Sequence, residues 1–247
     1  MLKWCVILCW WMPSIVLGQE SEKQKPLTIQ EMLENDRFEW RTITFRQPSP
    51  PPRPIPVIQQ AIEGRTSLVL HPQQQWVSYE PSAFQQYAFL HWEMCGSPPD
   101  LSLRDKLSFR DYFNTGGTLF LDTCEGSATP EEWQKWGSAI YPDTYWEELN
   151  SSHVLAFSFY LLEKRILLNR GHSAVYVLEN DGRYIMILNH NPEFSWERFR
   201  QSAVSKNYNS PSDEMRLRLY INLMVYLLTG DYKADQLHLP TILLRRK

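Results

Sequence analysis

Hydrophobic and polar positions follow two different periods along this chain, and each switch between them marks an element. Phe38, Trp40, Thr42 and Thr44 occupy every second position between Phe38 and Phe45, the period of a strand. Six prolines between Pro48 and Pro56 then make a stiff, extended connection. Ile58, Ala61 and Ile62 share one helical face, and Gly64 is placed to end that helix. Thr66–Leu70 reads as a strand, as does the aromatic run Phe84–Trp92. Leu103, Leu107, Phe109, Tyr112 and Phe113 return to helical spacing, and Asn114-Thr115-Gly116-Gly117 breaks the helix. Thr118–Leu121 is a short buried strand, and Pro130 opens a helix that runs to Ile140. Asn180-Asp181-Gly182 stands between Val175–Leu178 and Tyr184–Asn189, a strong hairpin signal. Asp213 is placed to cap a long helix to Leu228, with Gly230 as its stop. Alternating helices and strands in the first half predict an α/β fold, a mostly parallel open sheet flanked by helices. The late β-hairpin adds antiparallel strands.

The N-terminus fits neither period. Lys3 precedes an apolar run, Trp4–Val16, broken only by Pro13 and Ser14, and a polar stretch follows from Gln19 to Lys25. Val16 and Gly18 are small enough for the −3 and −1 positions of a signal-peptidase site. As a helix the run spans about 20 Å, short of the roughly 30 Å of a hydrocarbon core. Residues 1–18 therefore read as a signal peptide cleaved near Gly18, 19–37 as a polar linker with a short helix, and 38–247 as one domain. The expected destination is the periplasm or the exterior. Leu219–Leu228 is too short to cross a membrane and reads as a buried helix, so no span is expected in the mature chain. A net charge of −3, with no Lys/Arg cluster beyond Arg245-Arg246-Lys247, argues against a nucleic-acid partner. Cleavage removes Cys5 and Cys9 and leaves Cys95 and Cys124 in a compartment that permits disulfides. With no CxxC and no Cys/His cluster at zinc spacing, neither metal nor cofactor is expected.

The stretch Gly116-Gly117-Thr118-Leu119-Phe120-Leu121-Asp122-Thr123-Cys124-Glu125-Gly126 carries the most chemistry. Asp122, Thr123 and Cys124 follow the carboxyl end of a strand, where open parallel sheets place their ligands. Strand, Cys, x, Gly is similar to the elbow that presents a nucleophile, and class I glutamine amidotransferases set a Cys there. A catalytic Cys needs a lowered pKa and a His within reach. His91-Trp92-Glu93 has the His-x-Glu form of those enzymes but precedes the cysteine, and His190 has no Glu two positions on. Three readings of Cys124 stand: a disulfide with Cys95, a free buried thiol, or a nucleophile. The disulfide closes a loop of roughly 30 residues and is worth about 3 kcal/mol.

Three stretches resemble the domain-of-unknown-function family 4159: Leu107–Thr123, His153–Leu162 and Asn222–Pro240, with a looser match over Ile55–Trp92. The resemblance implies a class I glutamine amidotransferase-like (flavodoxin-like) fold in a bacterial protein that is exported or membrane-attached. It implies no reaction, since the catalytic set of the amidotransferases is not retained. His153 follows the turn Asn150-Ser151-Ser152 and precedes an apolar stretch that reads as a strand; it either closes a site at the sheet edge or satisfies buried backbone groups. Asn222 sits in an apolar helix, where its amide must find partners, and is expected to tie a neighbouring loop. Asp235 and His238 stand three apart and read as a structural clasp, with base orientation or metal binding as the alternative.

Two functions compete. One is a non-catalytic binding or scaffold module with a protein partner in the cell envelope, presenting Trp133, Trp136, Trp146 and Trp196 on its surface. The other is a cysteine-dependent hydrolase or amidotransferase-like enzyme using Cys124.

Overall fold

Side chains along β4 (Phe89–Met94) enter two different cores in turn: Phe89 one, Leu90, Trp92 and Met94 the other. That alternation demands cover on both faces of a sheet, and the rest of the chain supplies it. The computed structural model describes residues 37–44, 50–79, 86–123, 127–169, 172–205 and 210–244, and the side chains of Thr123, Asn169, Ser173 and of 230–244 lie outside that description. The signal-peptide and linker readings fall outside it as well. Residues 36–247 form one compact unit.

The strands are β1 (Arg41–Thr44), β2 (Arg53–Pro54), β3 (Gln73–Ser78), β4, β5 (Thr118–Thr123), β6 (Trp146–Glu148), β7 (Leu168–Asn169), β8 (His172–Ser173), β9 (Val175–Asn180) and β10 (Arg183–Asn189). Eight of them make one sheet in the order β2-β3-β1-β4-β5-β10-β9-β6, while β7 and β8 pair separately. β3, β1, β4, β5 and β10 are mutually parallel, and β2, β9 and β6 pair antiparallel. From β1 the chain winds outward to β3, then crosses back to β4 and winds the other way through β5 to β10. The winding thus reverses between β1 and β4.

Helices α1 (Pro56–Glu63), α5 (Trp196–Val204) and α6 (Pro211–Leu244) cover one face; α2 (Leu103–Asn114) and α3 (Pro130–Ile140) cover the other, and α4 (Lys164–Leu167) is a single turn. Their starts are set by local chemistry. Ser102 with Asp105 and Thr129 with Glu132 form reciprocal capping boxes, Pro130 taking the first turn of α3. Ser210 caps α6 and Asp213 closes that box from three residues on, so Asp213 is the partner and not the cap itself. In the late hairpin Asp181 and Gly182 both take positive φ, 52° and 77°, as a two-residue I′ turn needs.

Some expectations need correction. Thr66–Leu70 contributes a single bridge, Leu70 to Phe38, and the strand lies further on at Gln73–Ser78. Gln74 is fully buried there, so a polar residue stands where the pattern would need an apolar one. The stretch after His153 forms a 3₁₀ turn, Val154–Ala156, in place of a strand. α6 also runs through Gly230 to Leu244. One glycine costs a helix only about 1 kcal/mol against alanine, too little to stop it. Finally, Trp133, Trp136 and Trp196 are buried and Trp146 is half-buried, so they form no exposed aromatic patch.

Candidate functional site

The inward positions of four parallel strands carry buried polar groups: Thr42 on β1, Gln74 on β3, His91 on β4 and Asp122 on β5. A buried polar group must be satisfied locally, and these satisfy one another. The Trp40 indole donates to His91 Nδ1 at 3.1 Å, which makes Nδ1 an acceptor and leaves the ring proton on Nε2. That proton faces Asp122 Oδ2 at 3.4 Å. Gln74 Nε2 donates to Thr42 Oγ1 at 2.7 Å, and the Thr42 hydroxyl lies 2.9 Å from the same His91 Nδ1. Trp196 Nε1 donates to Gln74 Oε1 at 3.2 Å, and its ring stacks on Trp40 at 3.9 Å, which closes the circuit.

Asp122 is the hub. Its carboxylate accepts from the backbone N–H of Trp196 at 2.5 Å and from Asn189 Nδ2 at 2.8 Å, with the Tyr220 hydroxyl at 3.4 Å. Trp196 opens α5, so the carboxylate also meets the positive end of that helix. Burial drives the Tyr220 phenol well above its usual range, with the Asp122 charge adding to the effect. His91 and Asp122 are 0 % and 2 % exposed. A substrate cannot reach the pair without taking the core apart.

Above this network the environment changes. Glu93 lies two residues beyond His91 on the same face of β4, and its Oε1 is buried with no hydrogen-bond partner among the described residues. The indole N–H of Trp76, on β3, is likewise buried and unpaired there. Both residues line a cavity of about 390 Å³ together with Thr44, Trp92, Met94 and Trp133. It sits at the carboxyl ends of β1 and β4, where the winding reverses, the position at which open α/β sheets take ligands. Burial pushes the Glu93 carboxyl up from its ordinary value; His91 and Arg200 oppose that rise, while Asp122 and Glu197 add to it. Arg53 stands 5.3 Å over the Trp76 ring, and Arg200 holds Glu197 at 2.6 Å. A second hollow of about 240 Å³ between α1 and α5, lined by Pro54, Val57, Ala203 and Val204, is almost wholly apolar.

The sequence-derived residues are spread over the molecule. Asp122 is in the buried network. The Thr123 side chain and Cys124 lie outside the described residues, as do the side chains of Asp235 and His238. Cys95 follows β4 directly and lines the cavity. His153 is at the opposite, amino edge of the sheet, 3.4 Å from Glu147 and beside Tyr184 at the start of β10. Asn222 ties the 155–160 loop: Oδ1 accepts from Tyr160 N at 2.7 Å, and Nδ2 donates to the Leu155 and Tyr160 carbonyls at 2.9 and 2.8 Å. Gln74, Trp76 and Asn189 were not expected at a site, and His91 and Glu93 were weighed only as a His-x-Glu match to the amidotransferases. One signal was available, since His91 and Glu93 alternate with Leu90, Trp92 and Met94 and so had to point polar groups into a covered face. Among the described residues no group of three His, Cys, Asp or Glu stands close enough to hold a metal. No helix there is long and apolar enough to cross a membrane.

No curated protein matches the chain. A family model does, over residues 51–228, which takes in α1, β3, β4 and the whole Asp122 network except Trp40 and Thr42. With most of its length matched, the chain belongs to the family described as domain of unknown function DUF4159.

Proposed function

We propose that this is a non-catalytic binding module of an exported, cell-envelope protein, and that the cavity between β1 and β4 is where it binds. One observation carries the reading: Glu93 and Trp76, each with a buried and unpaired polar atom, line a cavity at the point where the winding reverses, while the His91–Asp122 pair is buried and committed. The five parallel strands follow the order 2-1-3-4-5 when numbered along the chain, as in flavodoxin-like sheets, and that supports an amidotransferase-like scaffold. Export follows from the reading of residues 1–18.

Cys95 and Cys124 form a disulfide in this proposal. β4 and β5 are parallel and in register through Met94 and Thr123, and Cys95 and Cys124 are the residues that follow these two in the sequence. Strands in a sheet lie about 4.8 Å apart, inside the Cα separation a disulfide spans. Thiol titration of the purified mature protein, with and without reductant, tests this. The expected result is no titratable thiol until reductant is added, and equal, non-additive losses of stability in Cys95→Ala and Cys124→Ala. A free, fast-reacting Cys124 whose removal abolishes an amide- or ester-cleaving activity would overturn the proposal in favour of a cysteine hydrolase.

A further inference from the structure

A lone exposed leucine or valine means little, but several together in one short stretch call for a reason. Phe157, Phe159 and Leu161 are 47 %, 46 % and 73 % exposed, and Leu168 follows at 38 %. Inward and outward residues alternate here. The Ser158 hydroxyl donates to the Asn222 carbonyl, the Asn222 amide holds Tyr160 N and O, and Leu162 is buried. This clasp uses backbone atoms and one hydroxyl, so it would survive polar residues at 157, 159 and 161. It fixes a loop whose other side is apolar. Between Asn150 and Leu168 the only formal charges are Glu163, Lys164 and Arg165. Glu163 and Arg165 pair with each other at 3.0 Å, and Lys164 makes no ion pair among the described residues. The reach of the chain keeps Lys164 within about 11 Å of Leu161.

From the outward Phe157, Phe159 and Leu161 and the unpaired positive charge beside them, we propose that this loop docks on an anionic lipid bilayer. The three side chains enter the boundary between headgroups and acyl chains, and Lys164 stays level with the phosphates. Composition favours lipid over a protein partner. Lysine is depleted in protein interfaces and leucine is seldom a hot spot there, whereas phenylalanine, leucine and lysine together suit a bilayer surface. Held by Asn222, the loop meets the bilayer already shaped, so little ordering opposes the contact. The contact is peripheral and needs no membrane span. It is independent of the cavity between β1 and β4 and holds whatever that cavity binds.

Co-sedimentation of the mature protein with vesicles tests the proposal, using phosphatidylcholine alone and phosphatidylcholine mixed with phosphatidylglycerol. The wild type should pellet with the anionic vesicles and more weakly with the neutral ones, and added salt should release it by screening. Lys164→Glu changes the loop by two units of charge and should weaken anionic binding roughly thirtyfold, about fivefold per unit. Binding to neutral vesicles should not change in that variant. Phe157→Ser combined with Phe159→Ser should abolish binding to both. Leu161→Ser, at the most exposed of the three positions, should weaken both while the thermal transition stays where it was. Equal binding to the two vesicle types overturns the anionic headgroup. Binding that ignores all of these variants lies elsewhere and overturns the loop. No binding by folded wild type overturns the proposal outright, and a dimer in light scattering that the paired serine variant dissolves would then assign the loop to a second copy of the chain.

Discussion

Glu93 is a carboxyl kept where the fold would do better without its charge. Burial raises its pKa in the folded state above the unfolded value. Its contribution to stability is therefore complete below the ordinary glutamate range and is lost as pH rises through the folded value. Glu93→Gln lacks this loss. The variant should match the wild type in urea midpoint at low pH and exceed it above the raised titration, a residue kept at a cost to stability being a mark of use. An unchanged difference across the pH range would show that burial of Glu93 carries no penalty. Gly117 is constrained in a different way. A Cβ there would fall within the Tyr112 ring, which is itself buried and donates to the Thr118 carbonyl at 2.8 Å. Gly117→Ala should cost about 3 kcal/mol by chemical denaturation, the upper range for overpacking a core, because the ring is held at its hydroxyl and cannot swing aside.

Elements differ in how plainly the sequence announces them. α2 was legible from the helical spacing of its apolar residues and α3 from Pro130 in its first turn, and Asn180-Asp181-Gly182 made the β9–β10 hairpin legible. β3 was hidden because its inward residues include Gln74, which is tolerated there only through Thr42 and Trp196. These partners lie 32 and 122 residues away, so no local pattern could reveal the strand. The tryptophans misled for the same reason: composition gives their number, while their place depends on which helix lands on which face. Asn222 was readable because an amide in an apolar helix has few options. It holds the 155–160 loop to α6 by three hydrogen bonds, and the Ser158 hydroxyl adds a fourth to its carbonyl at 2.7 Å. Asn222→Ala should cost about 2–3 kcal/mol, since it orphans buried backbone groups at both ends. Hydrogen exchange at the Tyr160 amide should accelerate in that variant far more than exchange in β4 or β5. Equal acceleration everywhere would mean that the loop has no separate anchorage.

Over the whole molecule, Asp122 joins five elements: β5 itself, β4 through His91, β10 through Asn189, α5 through the Trp196 N–H and α6 through Tyr220. Asp122→Asn keeps the shape but supplies two hydrogens where four donors already converge. A loss of at least about 3 kcal/mol is expected, with a single cooperative transition retained. A small loss, or separate transitions for the two halves, would show that the network does not bind them together.

The hub also dictates an order of assembly. During synthesis β1, β4 and β5 emerge first, and they bring His91 and Asp122 together with only part of their complement. Asn189, Trp196 and Tyr220 arrive some 67 to 98 residues after Asp122. Until then a carboxylate would have to be buried largely uncompensated, which the early strands alone cannot support. A fragment of residues 37–150 should therefore remain without a cooperative thermal transition in circular dichroism, whereas 37–247 should show one. Folding is postponed to the end of the chain, and a half-made copy has no stable structure to become trapped in.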